Sequence, residues 1–196
     1  MSGPRLRLVP GSGAQAAGGG GSEPLSPARM RELVFPMQVL LSRYTPPAQL
    51  RATIRALDQV IELWALYLVA LDEPVPVRVR DAVGAARDGV AHWIRRASSP
   101  RERRAVFAAV KEARVFVAGR KDREAEAARR VCTAALALVA VAIEDSSPEP
   151  TDVERRLANI VFVCGLIHNE AFPDRRNFVD VWLESLEDIE SGSSIQ

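Results

Sequence analysis

Thirteen consecutive residues, VCTAALALVAVAI from Val131 to Ile143, contain no charge and a single hydroxyl. Any fold of this chain has to keep them dry. A membrane-spanning helix needs about 20 apolar residues to cross the hydrocarbon core. The run is shorter than that, and it is bounded by EAEAARR before and EDSSPEP after. A strand of this length would be unusual, and alanine is a poor strand former. Alanine and leucine are strong helix formers. Upstream, Asp122 is placed to cap a helix, and Glu124 and Glu126 oppose the positive end of its dipole. The pattern predicts one helix over about 122–145 whose second half is apolar all round, which requires neighbours on every side.

The rest of the chain offers them. Ser26 and Pro27 form a cap and first-turn proline ahead of ARMRELVF, after which Pro36 breaks or kinks the segment. Leu50, Ile54, Leu57, Ile61, Trp64, Leu68 and Leu71 recur at steps of three and four. That stripe predicts a helix of about 25 residues, near 37 Å long, ended by Pro74 and Pro76. A further helix carries Val79, Val83, Ala86, Val90 and Trp93 on one face. Ser99, Pro100 and Glu102 then match a capping box. They open a helix with Val106, Phe107, Val110, Ala113 and Val117 inward, and Gly119 is placed as its C-cap. Thr151 and Glu154 suggest another capping box, before Val153, Leu157, Ile160, Cys164 and Ile167. A last helix starting at Pro173 aligns Phe178, Trp182, Leu186 and Ile189.

No stretch alternates with period two for long enough to make a strand. The expected fold is all-α, a compact bundle of about six to seven helices. ALYLVALDEPVP and ALALVAVAIEDSSPEP each close an apolar helix with an acidic pair and a proline loop. If this marks a duplication, it gives two pseudo-repeated three-helix layers with the two most apolar helices central. Residues 26–190 would form a single helical domain. Seven of the twelve glycines fall in the first 21 residues, so 1–25 is expected to be a disordered arm, and 191–196 a disordered tail.

The N-terminus lacks an uninterrupted apolar core after its charges, and GSGAQAAGGGGS lacks the Lys-Ser/Thr pair of a phosphate loop. Two cysteines make no disulfide framework. An intracellular, reducing location is the expectation, cytoplasmic or nuclear and not secreted. His92 and His168 are the only histidines, and no catalytic, cofactor or metal motif is visible. Neither an enzyme nor a cofactor is expected. The polar set Cys164, His168 and Glu170 is the one place a pocket chemistry would use, as a small-molecule sensor or enzyme. The three tryptophans sit on apolar stripes and read as core.

Charge is the informative feature. From Arg95 to Arg130 there are twelve basic and five acidic residues, and from Glu144 onward four basic and twelve acidic, in a chain of net charge +1. The basic block gathers Arg95, Arg96, Arg101, Arg103 and Arg104 at one helix-helix corner, and Arg120, Lys121 and Arg123 at the next. Lys111, Arg114, Arg129 and Arg130 complete it. Guanidinium forks suit carboxylate and phosphate groups. The acidic final helix carries Asp180, Glu184, Glu187 and Asp188. These blocks point first to a non-enzymatic interaction or assembly protein that binds a protein partner or another copy of itself. Nucleic-acid binding through the arginine corners is the alternative, weighed against near-neutral total charge and no recognition module. Charge blocks of this kind also occur as plain solvated faces.

Overall fold

The computed structural model describes residues 27–96, 98–143 and 149–193; the arm at 1–25 and residues 194–196 lie outside them. Among the described residues there is no strand, and short turns and loops join the helices α1 (Pro27–Leu41), α2 (Pro46–Asp58), α3 (Ile61–Ala70), α4 (Val77–Arg80), α5 (Ala82–Arg95), α6 (Pro100–Ala118), α7 (Arg123–Ile143), α8 (Pro150–Ala171) and α9 (Phe178–Ser193). None of these helices is long and apolar enough to cross a membrane.

α7, which contains the thirteen-residue run, is the centre. It packs against α2, α3, α5, α6 and α8. Asp122 caps it as expected, its Oδ1 accepting from the Ala125 amide at 2.7 Å. Ala125, Ala128, Ala134 and Ala135 are buried beside Val131, Cys132, Leu138 and Val139. Small side chains on so many faces let five neighbours approach closely. Within the run only Thr133 is exposed, and its hydroxyl donates back to the Arg129 carbonyl at 2.8 Å. Around this axis the bundle has two sides. α8 supports α1, α2 and α9, and α6 supports α4 and α5, with α2 also reaching α5.

Several boundaries differ from the expected ones. The 37 Å stripe is two helices, not one: the chain turns at Gln59 and Val60, where Val60 adopts φ −122°, ψ −7°. The Val60 amide donates to Leu57 O at 3.0 Å, and the Leu63 amide to Val60 O at 3.1 Å, closing the turn. The break lets α2 lie on α8 while α3 lies on α7, a course one straight helix could not follow. Trp64 is then anchored by its indole N–H, which donates to Arg80 O at 2.9 Å. α3 does not share the central place of α7: Leu66 is exposed and Val69 is 85% exposed.

Pro36 neither breaks α1 nor ends it. It lies inside the helix with its ring exposed, while Val34, two residues earlier, is buried. The helix expected around Val79–Trp93 is interrupted at Asp81 into α4 and α5. Trp93 is half-buried at its end, outside the core proper. The Ser99–Glu102 capping box is complete: Ser99 Oγ accepts from the Glu102 amide at 3.2 Å, and Glu102 Oε2 from the Ser99 amide at 2.8 Å. Gly119 caps α6, but with right-handed φ −79°.

The Thr151–Glu154 box does not form. Pro150 opens α8, and the cap position falls on Glu149, two residues before Thr151. Glu154 instead faces α2, where Gln49 Nε2 lies 3.5 Å from its Oε1. α9 begins at Phe178 and not at Pro173. Asn177 Oδ1 accepts from the Val179 amide at 2.9 Å and Asn169 Oδ1 from the Phe178 amide at 3.1 Å, and these side-chain acceptors fix the start. α9 continues to Ser193, so 191–193 are helix and not tail.

Candidate charged interaction surface

α6 buries Ala109, Val110, Ala113 and Val117. The 3.6-residue period therefore turns Arg101, Arg104, Ala108, Lys111 and Val115 outward in one stripe, with Arg114 beside it; all are exposed. From Arg101 to Arg114 the stripe is about 20 Å long at 1.5 Å per residue. None of Arg101, Arg104, Lys111 or Arg114 has an acidic partner among the described residues. Glu112, the acid on this outer side of α6, is held by Arg78 at 3.5 Å.

The two expected corners divide on inspection. Arg95 and Arg96 are exposed at the end of α5, with Arg95 Nε only reaching the Ala91 carbonyl at 3.3 Å. Lys121 and Arg123 are exposed past the other end of α6. These extend the basic face at both ends. Arg103 and Arg120 serve the fold instead. Arg103 Nε donates to Ser98 Oγ at 2.7 Å, and its guanidinium lies 5.8 Å from the Trp93 ring centre. Arg120 pairs with Glu73 and stacks over Phe116 at 5.2 Å, tying the loop after α3 to the end of α6. Arg129 pairs with Glu126, and Arg130 joins Glu126 at 3.0 Å to Glu170 at 2.8 Å, so both are internally neutralised. Lys111 and Arg114 belong to the surface although they lie in neither corner. Lys111, seven residues from Arg104, faces the same way, and Arg114, ten residues from Arg104, lies about 80° round the helix beside it.

The acidic helix lies elsewhere. α9 rests on α2 and α8, anchored by Phe178, Trp182 and Leu186, all at most 2% exposed. The Trp182 indole donates to Ala52 O on α2 at 2.9 Å. Asp180, Glu184 and Glu187 point outward; the Asp188 side chain lies outside the described residues. Arg176 clamps Glu184 through two contacts, at 3.0 and 2.5 Å, and this hydrogen bonding holds the Glu184 carboxyl below its usual range.

The alternative chemical set does not come together as a site. Cys164 and His168 are both buried, one turn apart, while Glu170 is exposed and paired with Arg130. The His168 ring sits between Phe172 and Phe178, with ring centres at 5.4 and 5.8 Å, and its Nδ1 is 3.3 Å from Asn169 Oδ1. Burial pushes the thiols of Cys132 and Cys164 up to about 12, so neither supplies a thiolate near neutral pH. A cleft of about 50 Å³ between α7 and α8 is lined by Arg123, Glu126, Arg130, Ile167 and Glu170, far below the ~300 Å³ of the smallest usual ligand pocket. A wider, open groove lies between α3 and α4–α5, over Trp64, Gly84 and Asp88. Its charged groups are already paired: Arg80 with Asp81, Arg87 with Asp88, and Glu62 with Arg175. Among the described residues no three His, Cys, Asp or Glu side chains are grouped to hold a metal ion.

No family model, no curated protein and no solved structure matches the chain. Its functional reading therefore rests on the chemistry of the surface.

Proposed function

We propose that the chain is a non-enzymatic interaction protein that presents the outward face of α6 to an acidic surface. One observation carries this: Arg101, Arg104, Lys111 and Arg114 stand exposed on the outward side of α6 with no acidic partner among the described residues, while the acidic block is seated on the far elements α2 and α8. Unpaired charge of one sign on one face favours an oppositely charged partner and steers its approach. A solvated face would serve solubility with mixed signs at least as well. Reversing charge in the middle of the stripe, Arg104→Glu with Lys111→Glu, is expected to abolish retention on a poly-glutamate resin. The fold should be untouched, because both side chains are exposed and neither pairs with an acid among the described residues. Retention unchanged by that double substitution refutes the proposal.

A nucleic-acid reading has one observation in its favour. The basic face runs on past α6 through Arg95 and Arg96 at one end and Lys121 and Arg123 at the other. Each phosphate neutralised releases counterions, so affinity for a DNA or RNA duplex would fall steeply with salt. A binding constant that is flat in salt, or no binding at about 0.1 M salt, removes this second reading.

A further inference from the structure

We infer that the acidic surface met by α6 is α9 of a second copy, so that copies join head to tail; this rests on the reading above and names its occupant. The outward side of α9 shows Val179 and Leu183, 38% and 39% exposed and one turn apart, flanked by Asp180, Glu184 and Glu187. The outward side of α6 shows Ala108 and Val115, the latter 65% exposed, flanked by Arg101, Arg104, Lys111 and Arg114. Each face is an apolar line bordered mainly by charges of one sign, with Glu112 on the α6 side paired to Arg78, and the signs are opposite.

Within one molecule the two faces have separate seats. α9 is fastened to α2 and α8, partly through the Trp182 bond to Ala52, and α6 lies on α4, α5 and α7. The complementary faces therefore meet between copies. Arg176 does not cancel the acidic side, because its pair with Glu184 is more than half exposed on both partners and exchanges readily with another cation. The two faces are different patches, so the contact is heterologous and leaves one free α6 and one free α9 at the ends of any open assembly. It grows into a filament or closes into a ring according to the rotation per step.

A charge-exchange experiment on the full chain tests this by light scattering. The wild type is expected to exceed the 21.4 kDa of one chain at about 0.1 M salt, increasingly with concentration. It should return to one chain at about 1 M, where the screening length falls to ~3 Å. Reversing all four bases, Arg101→Glu, Arg104→Glu, Lys111→Glu and Arg114→Glu, makes both faces acidic, and Asp180→Lys, Glu184→Lys and Glu187→Lys together make both basic. Each variant alone should need at least about tenfold more protein to assemble, because like charges meet. An equal mixture of the two should assemble again, since each reversed face then finds its complement. Circular dichroism of each variant confirms that it is folded.

A monomeric wild type at both salts, an α6 variant that assembles as well as wild type, or a mixture that stays monomeric overturns the inference. Assembly that disappears on nuclease treatment also overturns it, in favour of a nucleic-acid bridge. If self-assembly fails while poly-glutamate retention still depends on Arg104 and Lys111, the proposed function stands and only the occupant is wrong. If retention is also indifferent to those residues, both fall.

Discussion

Gly165 sits inside α8 with the Phe178 ring directly over it: a Cβ placed there would lie 2.9 Å from Phe178 Cδ1 and 3.2 Å from Cε1. Gly165→Ala therefore sets two effects against each other. Replacing glycine by alanine in a helix interior gains about 0.5–1 kcal/mol through chain entropy and propensity. Carbon atoms prefer about 3.5–4.0 Å, so the ring must retreat by more than half an ångström. It has little room, since Phe178 is fully buried, stacked on Trp182 with ring centres at 6.4 Å and against His168 at 5.8 Å. Overpacking at such sites costs about 1–3 kcal/mol, so Gly165→Ala is expected to lower stability by about 1–2 kcal/mol. Gly84 is the internal control: it also lies in a helix, and a Cβ there meets nothing within 4 Å. Gly84→Ala should gain the propensity term alone, about 0.5–1 kcal/mol. Urea unfolding at 25 °C reads both, and the two midpoints should differ by roughly 1 M, given slopes of about 1–3 kcal/mol/M. If Gly165→Ala stabilises as much as Gly84→Ala, the aromatic cluster over α8 is not fixed as described.

Ser99→Ala removes the hydroxyl that caps α6 and should cost about 1 kcal/mol in the same assay. Glu102 accepts from both the amide and the hydroxyl of Ser99, which holds its carboxyl below the ordinary 4.5. A group depressed in the folded state stabilises fully above its unfolded value, and that contribution is lost as pH falls through the folded one. Glu102→Gln should therefore flatten part of the stability loss seen below pH 4.5, and an unchanged acid limb would contradict the capping role. Trp182→Phe takes the donor from the buried Ala52 carbonyl and should cost about 1–3 kcal/mol by urea unfolding. Finally, both thiols should resist an aromatic disulfide reagent in the native state and react only on unfolding, because burial raises each to about 12. Rapid native labelling of either cysteine would show that its side of the bundle is open.

The helical class and the central position of α7 were readable because long apolar periodicity leaves few alternatives. The same periodicity hid the break at Gln59–Val60. The stripe from Leu50 to Leu71 continues across the turn, and the cause of the break is tertiary, the need to rest α2 on α8 and α3 on α7. Caps were legible where side chain and backbone agreed, at Ser99 and Asp122. They misled where a proline moved the start, as Pro150 did for Thr151. Asn177, directly before the apolar period of α9, was the available signal for the true start of that helix. At the charged surface, sequence located the block but could not separate Arg103 and Arg120, which hold the fold, from Arg101 and Arg104, which do not. That distinction depends on Trp93, Ser98, Glu73 and Phe116 arriving from other elements.

The bond from Trp182 to Ala52 joins residues 130 positions apart. α2 touches α5, α7, α8 and α9, all of which follow it in the chain. During synthesis, which releases the N-terminal part first, the earliest helices emerge with their partners still unmade. The surface that will receive Phe178, Trp182 and Leu186 stays uncovered until the chain 130 positions beyond Ala52 has been made. Helices near the N-terminus must therefore wait, apolar side outward, for an acidic helix that also serves as the closing plug of the core. A cell making this protein leaves that surface open for as long as the intervening residues take to be made.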